Sequence, residues 1–214
     1  NVAFRLPNLL RRMFAEGAFQ QAFIPMLADV RRRDESGTAA FIGRMTLALF
    51  WVLLGVSVLG VIAAPILVWL IASGLARNPD AFELATVMTR WMFPYILFMS
   101  LVALAAGVLN TYRRFAVPAV TPVLLNVSFI GCALWLAPRL ERPIMALAFA
   151  VVIGGVLQLA MQLAALRAIG VVIRWSSPLA AFRDPDVRRV GGLLLPALLA
   201  VSLAPISILI NTNI

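Results

Sequence analysis

Five long stretches of this chain contain no charged residue, and this pattern limits the possible fold more than any other feature. A hydrocarbon core about 30 Å thick requires about 20 apolar residues in a helix. Backbone groups in such a core have no water to bond to, and a helix satisfies them internally. We therefore predict an all-α fold, a polytopic transmembrane helix bundle. The charge-free stretches are 45–76, 91–112, 115–138, 143–166 and 190–214.

The composition supports a chain that is surrounded by lipid. Hydrophobic residues make up 63% of the 214 residues and charged residues only 13%, whereas a soluble domain has about 25% charged residues. The net charge is +9, which in a soluble protein would suggest a nucleic-acid partner. Here the arginines lie mostly between the apolar stretches, so we predict membrane lipids as partners and no nucleic acid.

The chain is predicted to form one membrane domain with six helical segments. Proline removes an i→i−4 hydrogen bond, so Pro65 is expected to divide the longest stretch into a span and an amphipathic or re-entrant piece at the far surface. The predicted segments are about 1–28, 45–64 with 66–75, 85–112, 115–138, 143–168 and 190–214.

Arginine counts in the connections predict the orientation. Alternate connections at 29–44, 113–114 and 167–189 hold eleven arginines, whereas those around 77–90 and 139–142 hold four. Cytoplasmic loops of membrane proteins carry the excess of basic residues. We therefore expect the three arginine-rich connections, 29–44, 113–114 and 167–189, to face the cytoplasm.

Small and polar residues inside the spans predict close helix packing. Gly154 and Gly155 would let a neighbouring helix approach closely. Gln158 and Gln162 are four residues apart and share one helix face. They predict either hydrogen bonds between helices or the lining of a polar cavity.

A polar stripe marks the first segment. At about 100° per residue, its members fall within an arc of about 120° on one face of the helix. Arg12 and Glu16 are also four residues apart, so they can pair. The members of the stripe are Arg5, Asn8, Arg12, Glu16 and Gln20.

Two interpretations of this stripe remain open from the residues alone. The helix could lie at the membrane surface, with its arginines reaching the lipid headgroups. Alternatively, the stripe could line a water-filled cavity that binds an anion, because the planar guanidinium fork suits phosphate.

The chain lacks the residue patterns of common catalytic and metal centres. It contains no histidine and one cysteine, Cys132, which lies inside an apolar stretch. No phosphate-binding glycine loop, metal-ligand spacing or nucleophile elbow is visible. We predict a protein that is not an enzyme and that has no metal and no cofactor.

The stretch at 3–27, AFRLPNLLRRMFAEGAFQQAFIPML, closely resembles the signature of the MurJ/MviN family. Stretches at 93–126, 154–170 and 194–212 match in the same order. The resemblance implies a bacterial lipid II flippase of the multidrug/oligosaccharidyl-lipid/polysaccharide exporter superfamily, with fourteen helices in two lobes. The chain would be part of the N-terminal lobe in the inner membrane. The implied activity is alternating-access flipping of the undecaprenyl-pyrophosphate-linked peptidoglycan precursor for cell-wall synthesis.

The same resemblance implies which residues bind the substrate. Arg11 and Arg12 match the cavity arginines of the family motif, Glu16 matches its acidic residue, and Arg5 occupies a basic position. Asn8 shares their stripe. The implied partners are lipid II and the remaining helices of the same transporter. Pro205 departs from the family pattern, which puts the helix geometry there in doubt. A related drug or polysaccharide-lipid exporter, or a membrane scaffold without transport activity, remains an alternative.

Overall fold

The computed structural model describes residues 18–71, 78–173 and 178–193. A π-helical turn (Cys132–Leu136) and a 3-10 turn (Ala137–Arg139) follow the fifth helix, and residues 185–193 are also helical. The α-helices are α1 (Ala18–Arg33), α2 (Glu35–Ile71), α3 (Pro79–Met92), α4 (Pro94–Thr111), α5 (Ala116–Gly131), α6 (Met145–Ala168) and α7 (Pro178–Arg183).

The prediction of an all-α transmembrane bundle is confirmed. The described ranges contain no strand. Within them, four helical stretches are long and apolar enough to cross a membrane. Helices α3 and α4 form one of these stretches, because they meet end to end at Phe93. The four stretches are Glu35–Leu70, Pro79–Thr111, Ala116–Arg139 and Met145–Ala168.

Helix α2 differs from the segments expected from the sequence. It continues without a break through Pro65 as far as Ile71, so residues 66–71 are not a separate surface piece, and 72–75 lie outside the described residues. One lost hydrogen bond does not end a helix whose neighbours pack on both sides of it. Helix α2 also begins at Glu35 rather than near residue 45. Its 37 residues make it about 55 Å long, so it must tilt or project beyond the hydrocarbon.

The turn between α1 and α2 is held by Asp34. The Ser36 hydroxyl and the Gly37 backbone N–H both donate to Asp34 Oδ1, at 2.6 and 2.9 Å. These two bonds, the Ser36 side-chain bond first, hold the pKa of the Asp34 carboxyl below its ordinary value. A charged carboxylate therefore satisfies backbone donors at the start of α2, where the helix dipole also favours it.

The predicted close approach of helices at Gly154 and Gly155 is confirmed. A Cβ at Gly154 would lie 2.7 Å from Leu125 Cδ1 and 3.3 Å from Leu125 Cα, and one at Gly155 would lie 3.0 Å from Phe98 Cβ. Helix α6 can therefore pack closely against both α5 and α4. On α2, a Cβ at Gly60 would overlap the Phe93 ring.

The outer face of α5 carries large apolar side chains. Val123 is 53% exposed, Val127 56% and Ile130 60%. Contiguous apolar surface of this kind is rare on soluble proteins. This face is therefore suited to contact with hydrocarbon.

Candidate functional site

The predicted substrate-binding residues Arg5, Asn8, Arg11, Arg12 and Glu16 all lie outside the described residues. Helix α1 follows them in the chain, so its packing is the nearest structural evidence on that segment. It ends at Arg33, five residues beyond the end expected from the sequence.

Helix α1 buries one face against the rest of the bundle. The ring of Phe23 stacks on that of Phe41 in α2, with centroids 6.0 Å apart. On α4, Gly107 leaves room for Ile24. The buried side chains of α1 are Ala22, Phe23, Met26, Leu27 and Val30.

Arg31, near the end of α1, binds the end of α4. Arg31 Nη1 donates to the Thr111 carbonyl at 3.3 Å, and its guanidinium lies 4.5 Å from the centroid of the Tyr112 ring. The carbonyl is at a helix C-terminus, where the dipole favours a cation. The connections 29–44 and 113–114 therefore lie side by side.

A second contact brings in the connection at 167–189. Arg44 Nε, in α2, lies 2.6 Å from Asp184 Oδ2. The other carboxylate oxygen of Asp184 accepts hydrogen bonds from the backbone N–H groups of Asp186 and Val187, at 3.0 and 3.2 Å. Asp184 thus links α2 to the helical residues 185–193.

These contacts gather the three arginine-rich connections at one end of the bundle. We call this the basic end and define it by Arg31, Arg44, Arg113, Arg114 and Arg167. Helices α5 and α6 are antiparallel, because Ser128 contacts Ala150 whereas the earlier Thr121 contacts the later Gln158. Helix α5 therefore leads away from the basic end and α6 returns to it, so the connection at 139–142 lies at the opposite end.

The two glutamines of α6 form hydrogen bonds between helices. Gln158 Nε2 donates to the Thr121 carbonyl at 2.9 Å, and Gln162 Nε2 donates to the Thr121 hydroxyl at 2.8 Å. Both side chains are almost fully buried, and among the described residues neither Oε1 has a hydrogen-bond partner. Of the two interpretations given above, the structure supports interhelical bonding of α5 to α6.

An apolar cavity of about 190 Å³ lies between α2, α4 and α6. Its walls come from residues in 46–50, 97–105 and 159–167, together with Val171 and Ile173, and Arg167 lies at the basic end. Sequence reasoning counted Arg167 as a topology signal and missed the cavity. No local pattern could have revealed it, because its walls come from three distant parts of the chain.

No cluster of metal-binding side chains occurs in the part of the chain that the structure describes. No three residues among histidine, cysteine, aspartate and glutamate lie close enough there to hold an ion. Cys132 is buried and free, which suits a small apolar side chain.

Comparison with known proteins gives one consistent result. The family model described as "Lipid II flippase MurJ" matches residues 1–214. The chain is 51% identical, over its full length, to the lipid II flippase MurJ of Burkholderia cenocepacia. It is 38% and 39% identical to probable lipid II flippases MurJ of Haemophilus influenzae and Vibrio cholerae, over 99% and 98% of its length. It spans 42%, 42% and 41% of these three relatives.

Proposed function

Because the chain belongs to the lipid II flippase MurJ family, we propose that it is part of a transporter that flips lipid II across the bacterial cytoplasmic membrane. The named activity of the relatives supports transport rather than catalysis. The chain spans about two fifths of their length, so the activity belongs to the complete protein, with further helices completing the cavity.

The cargo sets a definite physical task. Lipid II joins a polar sugar-peptide head to a long polyprenyl tail through a pyrophosphate. The head must cross about 30 Å of hydrocarbon, which requires a wet cavity, while the tail can remain in lipid. Arginine suits the pyrophosphate because its planar fork forms paired, charge-assisted hydrogen bonds.

The observation that carries the proposal is the buried face of α1. Ala22, Met26 and Val30 mark this face. Arg12 itself lies outside the described residues. If the helical period of about 100° per residue predicted for its segment is counted back from Ala22, Arg12 is expected about 80° from Ala22, in the direction of the middle of the buried face. The same count predicts Arg5, Asn8 and Glu16 on this side. It predicts Arg11 about 100° from Arg12 and about 20° from Ala22, at the edge of the face.

The predicted angular position of the stripe, on the side of the buried face of α1, favours the cavity interpretation over a surface helix. Arginines that reach lipid headgroups would share the helix face that turns away from the bundle. A stripe on the buried face instead points into the protein, where a charge without water or a partner costs several kcal/mol. An aqueous cavity with an anionic ligand removes that cost.

The basic end supplies the proposed orientation. Contacts of Arg31 and Arg44 bring the three arginine-rich connections together, and such ends face the cytoplasm. Cargo would enter from the inner leaflet, and rocking of two lobes would open the cavity to the other side. The membrane potential could bias this cycle by about 2.3 kcal/mol per charge per 100 mV.

The test compares arginines of the same segment in the full-length protein. Arg12→Ala is expected to lower lipid II translocation in proteoliposomes about tenfold or more, because hydrogen bonds to charged groups contribute about 1.5–3 kcal/mol. Arg12→Lys keeps the charge without the fork and should be intermediate. The matched control is Arg32→Ala, since Arg32 is exposed near the end of α1. Equal translocation by Arg12→Ala and Arg32→Ala, at equal membrane levels, would refute the cavity role.

A further inference from the structure

The cavity between α2, α4 and α6 has an apolar interior and a cationic end. Its walls on α4 and α6 run over residues 97–105 and 159–167, which corresponds to about 12 Å along each helix. Leu97 and Leu159 lie at the inner end, whereas Arg167 lies at the basic end. This is the polarity of an amphiphile, with a chain at depth and an anionic group near the membrane surface.

The guanidinium of Arg167 is available to a ligand. Among the described residues, none forms an ion pair or a side-chain hydrogen bond with it. By contrast, Arg31 binds the end of α4 and Arg44 pairs with Asp184. The Thr46 hydroxyl, also in the wall, already donates to the Ile42 carbonyl.

These features identify the kind of ligand. An apolar cavity stays dry and accepts apolar groups, and anionic lipids attract arginines at the cytoplasmic surface. We propose that the cavity binds the part of one acyl chain nearest the headgroup of an anionic glycerophospholipid from the leaflet at the basic end, with the lipid phosphate at Arg167. Bound there, the chain fills the space between three helices.

The charge of the site favours a phospholipid over the polyprenyl cargo. Arg167 is the charged residue among the described residues that line the cavity. One guanidinium balances the single charge of a phosphodiester, whereas a diphosphate carries more negative charge than one guanidinium neutralises. The inference does not depend on the proposed transport activity, because the cavity is lined by α2, α4 and α6 and includes none of the predicted cargo-binding residues.

Labelling with a photoreactive lipid locates the site. The full-length protein is placed in bilayers that contain phosphatidylglycerol with a diazirine near the middle of one acyl chain. We expect labelling in peptides that contain 97–105 and 159–167. Ala105→Phe fills the cavity, because Ala105 is a buried wall residue, and should abolish this labelling. Val127→Phe, on the exposed face of α5, is the matched control and should retain it.

Affinity measurements test the charge. In native mass spectrometry of the full-length protein, Arg167→Gln should weaken phosphatidylglycerol binding about fivefold, which corresponds to about 1 kcal/mol per arginine at an anionic surface. Arg114→Gln removes an exposed arginine of the same end and should not change it. Phosphatidylcholine binding should be equal in all three proteins.

Three results would overturn the proposal. The first is labelling of α5 but not of the cavity walls in the wild-type protein. This result is also expected if another segment of the protein fills the cavity. The second is unchanged phosphatidylglycerol affinity in Arg167→Gln. The third is displacement of the labelled lipid by an equal concentration of polyprenyl diphosphate, which would assign the cavity to the cargo tail.

Discussion

The ion pair between Arg44 and Asp184 provides a quantitative test of how the basic end is held together. The two side chains keep 40% and 13% of their exposure. Asp184 also caps residues 185–193 through Asp186 and Val187. One carboxylate thus makes a long-range ion pair and a local cap, and different substitutions separate the two roles.

The exposure of the two partners sets the expected size of the effect. Arg44→Gln leaves a largely buried carboxylate without its cation. The loss should exceed the 0.2–1 kcal/mol of an exposed pair and stay below the 3–5 kcal/mol of breaking a fully buried one; we expect about 1–2 kcal/mol. Asp184→Asn keeps a capping oxygen and should lose a similar amount. Asp184→Ala also removes the cap and should lose about 1 kcal/mol more.

The coupling energy of the pair is measured with a double-mutant cycle that adds the double variant Arg44→Gln/Asp184→Asn to the two single variants. The free energy of unfolding of each full-length protein is measured in mixed micelles. Arg33→Gln is the control, because its partner Asp29 is an exposed neighbour four residues away in α1, and such pairs contribute about 0.3–0.5 kcal/mol. The reasoning fails if the coupling is zero within error, or if Arg44→Gln and Arg33→Gln lose the same stability.

Three further predictions concern the rest of the bundle. Gly154→Ala should destabilise the protein by about 1 kcal/mol or more through overpacking against Leu125, whereas Gly131→Ala, with open space around it, should be neutral or stabilising; a thermal shift in the opposite order contradicts this packing. Gln162→Leu should change stability by about 0.6 kcal/mol or less, because it removes the hydrogen bond to Thr121 together with a buried carbonyl that has no partner among the described residues. A loss above about 2 kcal/mol in chemical unfolding contradicts that account. Because folding lowers the pKa of Asp34, its charge stabilises the fold at pH values above the ordinary pKa of 3.8. Wild type should therefore lose stability relative to Asp34→Asn as the pH falls below that value, and the same dependence of stability on pH in both proteins would contradict the cap.

Some structural features could be predicted because their signal is local. The charge-free stretches predicted a helical membrane bundle, and Gly154 and Gly155 predicted close helix approach, since a missing side chain is visible in the sequence itself. The glutamine pair on α6 predicted a polar contact but not its partner. Thr121 is 37 residues from Gln158 along the chain, and nothing in the sequence of α5 marks it as the acceptor.

The candidate site was predicted less completely. Its polar stripe was found from helical periodicity, yet periodicity alone could not decide whether the stripe faces lipid or protein. The predicted substrate-binding residues lie outside the described residues, so their orientation toward the protein stays a prediction, which takes its helical phase from the buried face of α1 around Phe23. The break expected at Pro65 did not occur, because neighbouring helices support α2 on both sides of the proline.

The sequence by itself determined which segments prefer hydrocarbon and which connections carry positive charge, because transfer free energy and charge belong to individual residues and add along the chain. Only the tertiary structure decided that Arg31 meets Tyr112, that Arg44 pairs with Asp184, and that Arg167 lies at the end of an apolar cavity. Those outcomes depend on the distances between side chains far apart in sequence, and the packing of the helices sets these distances.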